Sequence, residues 1–429
     1  MLEIKGIDPK SQDKLNNKLD QLVKSKILTR YYFTSEEGKG IYRIYCLEKM
    51  GKYLLFFVLL FSSLHIYPQC YQGYVVDEET NACLPFATVF VSQDCRTVTN
   101  ADGAFTLDTN LKGVAKISYV GYHELIIPLS RLNGTIKMKP YVVKLHEVTA
   151  YPIDVIIKRA MDQLLLEAKS YKNKESDFIY RQVTLNDRTC NEYIETFFNA
   201  KSEISLRKLS LITGRYATLK TGKDGDLSYC TNFFSLVQLG LLARKITKNM
   251  PIPFLTSEYK KYYNIDYTIL SGANSNIYVI TFKAKRNVKK VIIEGKLFID
   301  GVDYRILRYE GHLRNSTLSY GKRKIPLTLS INTVYTNRRG FTEIESEELS
   351  GNYRHLGKDI VIKALIYNVG EKKIERKKRI KYNYNLKEIL SSMKYDSNFW
   401  KQHNEVRKTP LEKKVLELFE SKNVFTNMR

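Results

Sequence analysis

Side chains suited to chemistry are scarce in this sequence. Its 429 residues hold six histidines, six cysteines and one tryptophan. No cysteine pair is spaced Cys-x-x-Cys, which argues against a thiolate metal site. His146-Glu147 opens like a zincin helix, but position 150 is alanine, so the second ligand is missing. No His-x-x-Glu, Gly-x-Ser-x-Gly, phosphate loop or dinucleotide fingerprint occurs. The expectation is a protein with no catalytic residue, no metal and no cofactor. An unrecognised hydrolase, assembled only by folding, is the enzymatic alternative.

Acidic residues are also in deficit. Asp and Glu number 45 against 69 Lys and Arg, giving a formal charge of +24. In the cytosol such an excess points to nucleic acid. In an exported chain the anionic partners are lipid headgroups, lipopolysaccharide or acidic glycans, and nucleic acid is not expected. What is abundant is tyrosine, with 31 residues, a side chain that suits half-buried strands. The 43% hydrophobic content can fill the cores of more than one domain.

One apolar run, Tyr53 to Tyr67, follows Met50-Gly51-Lys52. A lone lysine before so short a run is the pattern of a secretory signal. Residues 50–69 are therefore read as a signal peptide, with Met50 the better start and residues 1–49 an upstream extension. If the extension is real, the run becomes a signal anchor with its positive side in the cytoplasm. Export to the periplasm or outer membrane permits disulfides. Cys83 could pair with Cys95 and Cys190 with Cys230, although free buried thiols serve equally well. Cys70 stands where a lipid-modified cysteine would, but Gln69 is a poor match to the small residue required before it.

Gly73 to Tyr122 reads as short strands joined by turn chemistry. Gly73 to Asp77, Leu84 to Val91 and Val114 to Val120 are apolar stretches, and Asp102-Gly103 is a tight-turn dipeptide. Turns about every 8 to 12 residues argue for a small antiparallel sandwich. The pattern GxVxD (Gly73, Val75, Asp77), LPxAxV (Leu84, Pro85, Ala87, Val89), TxxDGxF (Thr99, Asp102, Gly103, Phe105), SYVGY (Ser118 to Tyr122) and LHEV (Leu145 to Val148) resembles the carboxypeptidase-regulatory-like domain. That resemblance implies a transthyretin-type sandwich of the kind common in envelope proteins of Bacteroidetes. It implies no peptidase activity, because the module is the accessory sandwich and not the zinc-bearing domain. In large outer-membrane transporters a segment like LHEV leads to a barrel, but the residues that remain are too few for one.

After Pro152, apolar residues from Ile153 to Ala168 recur at helical spacing. Ser170 to Gln182 resembles a motif of an uncharacterised Bacteroidetes family in which the sandwich precedes a β-rich domain. Its Tyr180-Arg181 pair reads as strand packing with a solvated guanidinium. From Tyr262 to about Tyr384 one alternating stretch follows another, which gives a meander with one apolar face. A helix from Phe233 to Ile246 could lie in its concavity, as in the half-barrel of periplasmic lipoprotein carriers. Two basic clusters stand out. The first is Lys283, Lys285, Arg286, Lys289 and Lys290; the second is Lys372, Lys373, Arg376, Lys377, Lys378, Arg379 and Lys381. Such charges usually guard an exposed sheet edge, and the alternative is a surface for anionic lipid or glycan. Thr409-Pro410-Leu411-Glu412 is a capping box that opens a C-terminal helix, and Trp400 reads as a docking anchor.

The expected fold is mainly β. The segments are 1–49 extension, 50–69 signal, 70–140 sandwich, 141–172 linker and amphipathic helix, 173–385 β-rich half-barrel with packed helices, and 386–429 helical tail. The expected function is a non-enzymatic envelope protein that binds or assembles, with envelope proteins, lipid or glycan as partners. The alternative is a lipid or amphiphile carrier that uses the concave sheet.

Overall fold

The computed structural model describes residues 9–24, 28–34, 41–47, 69–92, 95–144, 152–170, 175–202, 204–219, 240–243, 245–247, 250–272, 276–320, 322–338, 340–370, 378–379, 386–402 and 406–425. They form two compact units, residues 1–69 and 70–429. In the first, helix α1 (Pro9–Lys24) precedes an antiparallel hairpin of β1 (Leu28–Thr34) and β2 (Ile41–Leu47). The expected signal segment lies outside the described residues, apart from Gln69. Among the described residues no helix is long and apolar enough to cross a membrane.

The second unit begins with the sandwich. Its strands are β3 (Gln69–Asp77), β4 (Thr88–Ser92), β5 (Cys95–Val98), β6 (Ala104–Thr109), β7 (Val114–Ser118), β8 (Leu125–Pro128) and β9 (Gly134–Met138). One sheet has the order β6-β3-β9 and the other β5-β4-β7-β8. The pairing of β3 with β9 is parallel, a departure from the all-antiparallel expectation. Alternate residues Val75, Val89, Phe105, Ala115, Ile117 and Met138 fill the space between the sheets. The strand expected from Leu84 starts only at Thr88, because Phe86 is left-handed (φ 68°) and breaks the extended run. The Thr99 hydroxyl secures that break, donating to Leu84 O at 2.7 Å and accepting from Ala87 N at 2.8 Å. Gly103 has the positive φ its turn requires, 70°, and a Cβ there would meet Val75 O at 2.8 Å.

Residues expected in the linker instead begin a second sheet. Its first strand is β10 (Val142–Lys144), and helix α2 (Ile153–Ser170) follows. Three long strands come next: β11 (Glu175–Asn186), β12 (Thr189–Ser202) and β13 (Leu206–Thr218). A short pair, β14 (Leu242–Ala243) and β15 (Leu255–Thr256), stands before one helical turn, α3 (Tyr259–Tyr262). The helix expected over 233–246 is therefore not helical at Leu242–Ala243, and residues 233–239 lie outside the described residues. The meander runs through β16 (Tyr263–Ser271), β17 (Asn276–Ala284), β18 (Ile292–Asp300), β19 (Ile306–Arg314), the hairpin β20 (Thr317–Tyr320) and β21 (Arg323–Pro326), β22 (Thr328–Arg338), β23 (Phe341–His355) and β24 (Lys358–Gly370). Strand β25 (Lys378–Arg379) and helices α4 (Leu386–Ser391), α5 (Ser397–Gln402) and α6 (Pro410–Ser421) close the chain. Twelve strands form one sheet in the order β10-β16-β17-β18-β19-β22-β23-β24-β11-β12-β13-β25.

Both faces of this sheet are covered. On one, Ile156, Ile157, Ala160 and Leu164 of α2, with Leu241, Ile252, Phe254 and Leu255, pack on apolar strand residues such as Phe198, Ile280 and Ile366. The concavity that a carrier would keep for acyl chains is thus occupied, among the described residues, by the chain's own side chains. Against the other face lie the sandwich and the tail. Phe86 and Val98 of the sandwich meet Val334, Leu365 and Tyr367 of the sheet and Val406 of the tail in a single apolar cluster. Arg308 of β19 donates to Tyr119 Oη of the sandwich at 2.9 Å, and Tyr122 donates to Asp77 at 2.7 Å. Through Tyr119 the SYVGY stretch fastens the sandwich to the sheet, whereas the Tyr122–Asp77 bond stays within the sandwich.

Candidate functional site

Strands β11, β12 and β13 place three polar residues side by side on the covered face. Register pairs Arg181 with Glu195 and Glu195 with Arg215. Arg181 donates to Glu195 Oε1 through Nε (3.0 Å) and Nη2 (2.9 Å), and Arg215 to Oε2 through Nε (2.9 Å) and Nη2 (2.5 Å). One carboxylate thus accepts four charge-assisted hydrogen bonds, each guanidinium gripping a single oxygen with two N–H groups. Arg181 also reaches Glu412 of α6 at 3.2 Å, and that same glutamate closes the capping box, accepting from Thr409 N at 2.7 Å. The expected cap is present, with the Thr409 hydroxyl accepting from Glu412 N. Burial raises the cost of charge on Glu195, yet Arg215 and Arg181 hold it well below the usual carboxylate range. Burial likewise opposes the charge on Arg181, and Glu412 and Glu195 override it. For Lys408 burial wins and its pKa is lowered, with Arg181 and Arg215 adding to the effect against Glu195 and Glu412.

The reading of Arg181 as a solvated strand residue is corrected here, since only 2% of it is exposed. The sandwich and the tail cover the polar side of its strand and bring a countercharge with them. Trp400 is the anchor its sequence suggests, buried with Ile179, Phe197 and Ile212. Its ring also carries the Arg215 guanidinium, whose carbon lies 4.4 Å from the ring centroid.

Above these groups opens a cleft of about 640 Å3. The sandwich contributes Gln72, Thr106 and Asp108, the sheet contributes Arg215, and the tail contributes Tyr395, Trp400, Arg407, Lys408, Lys413 and Glu420. Arg407 ties two of these walls together, donating to Phe105 O at 3.3 Å while its own carbonyl accepts from Asn100 Nδ2 at 3.3 Å. Arg215 reaches Glu420 at 3.3 Å, so the floor is continuous with the rim.

Of the residues singled out in sequence, Cys70 and Trp400 line this cleft, whereas the suggested cysteine pairs and the basic clusters lie elsewhere. Cys83 and Cys95 are free thiols and do not staple the sandwich. Cys83 is exposed and bridges to Val76 of β3, whereas Cys95 opens β5 of the other sheet. Cys190 is buried at the start of β12, where burial pushes its thiol up to about 12. Its suggested partner Cys230 is outside the described residues, as are Lys372, Lys373, Arg376 and Lys377. Lys378 and Arg379 form β25, which pairs with Ser210 and Leu211 at the edge of the large sheet. That is the place where basic residues discourage further pairing. In the first basic cluster, Lys290 donates to Thr247 O at 3.4 Å. Among the described residues no three or more His, Cys, Asp or Glu converge on a point that could hold a metal.

Glu195, Arg215 and Lys408 went unnoticed in the sequence. Counting outward from the turn at Asp187 and Arg188 would have aligned Arg181 with Glu195 only after allowing for the register shift at Thr184/Leu185. A bulge of this kind leaves no plain mark in composition.

No curated protein matches the chain. A crystal structure of a DUF1329 family protein from Desulfovibrio piger ATCC 29098 is similar over 50% of this chain and 95% of its own, with 9% sequence identity and a TM-score of 0.21, too slight a superposition to bear on fold or function. Residues 71–149 match the family model of the CarboxypepD_reg-like domain, the module that the sequence pattern resembles and that the seven-stranded sandwich forms.

Proposed function

We propose that this is a non-enzymatic binding or assembly protein of the cell envelope, exported to the periplasm or outer membrane. The observation that carries the reading is the cleft, whose walls come from three separate parts of the chain and are fixed by Arg407 and the Arg181-Glu195-Arg215 group. A site held this rigidly suits recognition, because little ordering remains to oppose binding. Its buried titratable groups are committed to one another, Glu195 to two guanidiniums and Glu412 to a third contact and a helix cap. That arrangement supports holding a ligand rather than transforming one. The carrier alternative gains no support from the packed apolar face.

Fractionation of cells that make the full chain tests the reading. The protein is expected in the periplasmic or outer-membrane fraction, and released from washed envelopes by salt because surface attraction is screened. Recovery of the mature chain in the cytosol would overturn it.

A further inference from the structure

We infer that one end of the large sheet docks on an anionic lipid surface, with the tip of the β23–β24 turn entering the interface. The inference rests on the envelope location proposed above and names the partner. Antiparallel order sets the β17–β18 turn, the β19–β22 connection with its β20–β21 hairpin, and the β23–β24 turn at the same end. Each is basic. The first exposes Arg286, Lys289 and Lys290, the second Lys322, Arg323 and Lys324, and the third Arg354. Acids nearby are already engaged, Asp154 with Lys260, Glu258 with Lys261, Glu294 with Arg314 and, at 3.8 Å, Asp359 with Arg354. Among the described residues Arg286, Lys289, Lys322, Arg323 and Lys324 form no ion pair. The β18–β19 turn at the opposite end instead carries Asp300 and Asp303, with Arg305 bound to Asp303 and Glu167. Hydrogen bonds brace the basic loops against one another. Arg314 donates to Ala284 O at 3.1 Å, Asn315 Nδ2 to Lys290 O at 3.0 Å and Lys290 to Thr247 O at 3.4 Å. Ile252 N donates to Val291 O, so the loop with exposed Lys245 and Met250 runs beside the first turn.

Charge alone would fit any polyanion, and the third turn narrows the choice. Leu356 at its tip is 66% exposed and left-handed (φ 48°), a conformation that asparagine or glycine adopts more readily. Arg354 precedes it and Lys358 follows. An apolar side chain held out to solvent, on backbone that disfavours it, contributes little to the fold. It gains by entering the acyl boundary of a bilayer while its basic neighbours meet the headgroups.

Sedimentation with vesicles tests this on the full chain. Vesicles of phosphatidylglycerol and phosphatidylcholine (about 3:7) are expected to bind it at least about tenfold more tightly than phosphatidylcholine alone, and high salt to release it. Arg286→Glu with Lys289→Glu, both exposed, is expected to weaken that binding about tenfold or more. Lys112→Glu with Lys137→Glu makes an equal change of net charge on the sandwich and should bind within about twofold of the parent. Leu356→Asn relaxes the turn and is expected to weaken vesicle binding about fivefold while leaving attachment to heparin, a soluble polyanion, unaltered. The inference falls if both kinds of vesicle bind alike, if the Arg286 and Lys289 variant binds unchanged, if the sandwich variant loses as much, or if Leu356→Asn leaves vesicle binding intact or weakens heparin equally. Such a failure is distinct from failure of the envelope role, since a chain that fractionates with envelopes yet ignores these vesicles keeps the role and loses this surface.

Discussion

On strands β11 to β13 neighbouring residues point to opposite sides of one sheet and meet different worlds. Tyr180, Ile194 and Phe198 enter an apolar layer under α2. Arg181, Glu195 and Arg215 enter an equally buried layer under the sandwich and tail, where each charge has a partner. The comparison shows that alternation along a strand sorts side chains by face without saying which face meets water. Polarity on the second face records what packs there, a helix and a sandwich that bring their own charges. The apolar layer is the tolerant one, since small changes there cost only lost contacts. The charged layer is the brittle one, since removing one member leaves its partners buried and uncompensated.

That contrast can be broken deliberately. Glu195→Gln strands two buried guanidiniums and is expected to destabilise by about 3–5 kcal/mol in urea unfolding. A loss below about 1 kcal/mol would mean that water reaches the pair and screens it.

Glu347 offers the converse test on the apolar face, where burial raises its carboxyl to about 7 from 4.5 and the Thr333 hydroxyl helps its charged form. A folded pKa above the unfolded one means stability is full below about 4.5 and declines as the pH rises to about 7. Glu347→Gln removes that decline. Its stability relative to the parent is expected to grow by about 3 kcal/mol across the window, and parallel pH profiles for the two proteins would refute the burial.

Smaller effects sharpen the picture. Thr409→Ala deletes the cap whose glutamate also serves Arg181 and is expected to cost about 1–2 kcal/mol, toward the upper end for a cap. The same change measured in a Glu195→Gln background should cost less if cap and ion group act together. Ile194→Val, one residue from Glu195 but on the other face, is expected to cost only about 0.5–1.5 kcal/mol. If it matched Glu195→Gln, the two layers would not differ in kind.

Much of the fold was legible because local signals suffice for local structure. The turn at Asp102-Gly103, the capping box at Thr409, the helix after Pro152 and the alternating strands from Asn276 to Gly370 all stand where the sequence places them. Strands β12 and β13 were not legible, because residues such as Phe197, Phe198 and Ala200 are buried on both faces and show no period of two. The cleft was not legible at all, since Gln72, Arg215 and Lys413 are far apart along the chain and meet only when sheet, sandwich and tail pack together.

By itself the sequence determined the sandwich, its turns, the meander and the caps, because each depends on residues a few positions apart and on backbone preferences that act at short range. Only the tertiary structure decided that Arg181 is buried, that Cys83 and Cys95 stay free thiols, and that a charged cleft opens beside the tail. Those outcomes depend on which distant surfaces cover one another, and burial and countercharge exist only once that covering is made.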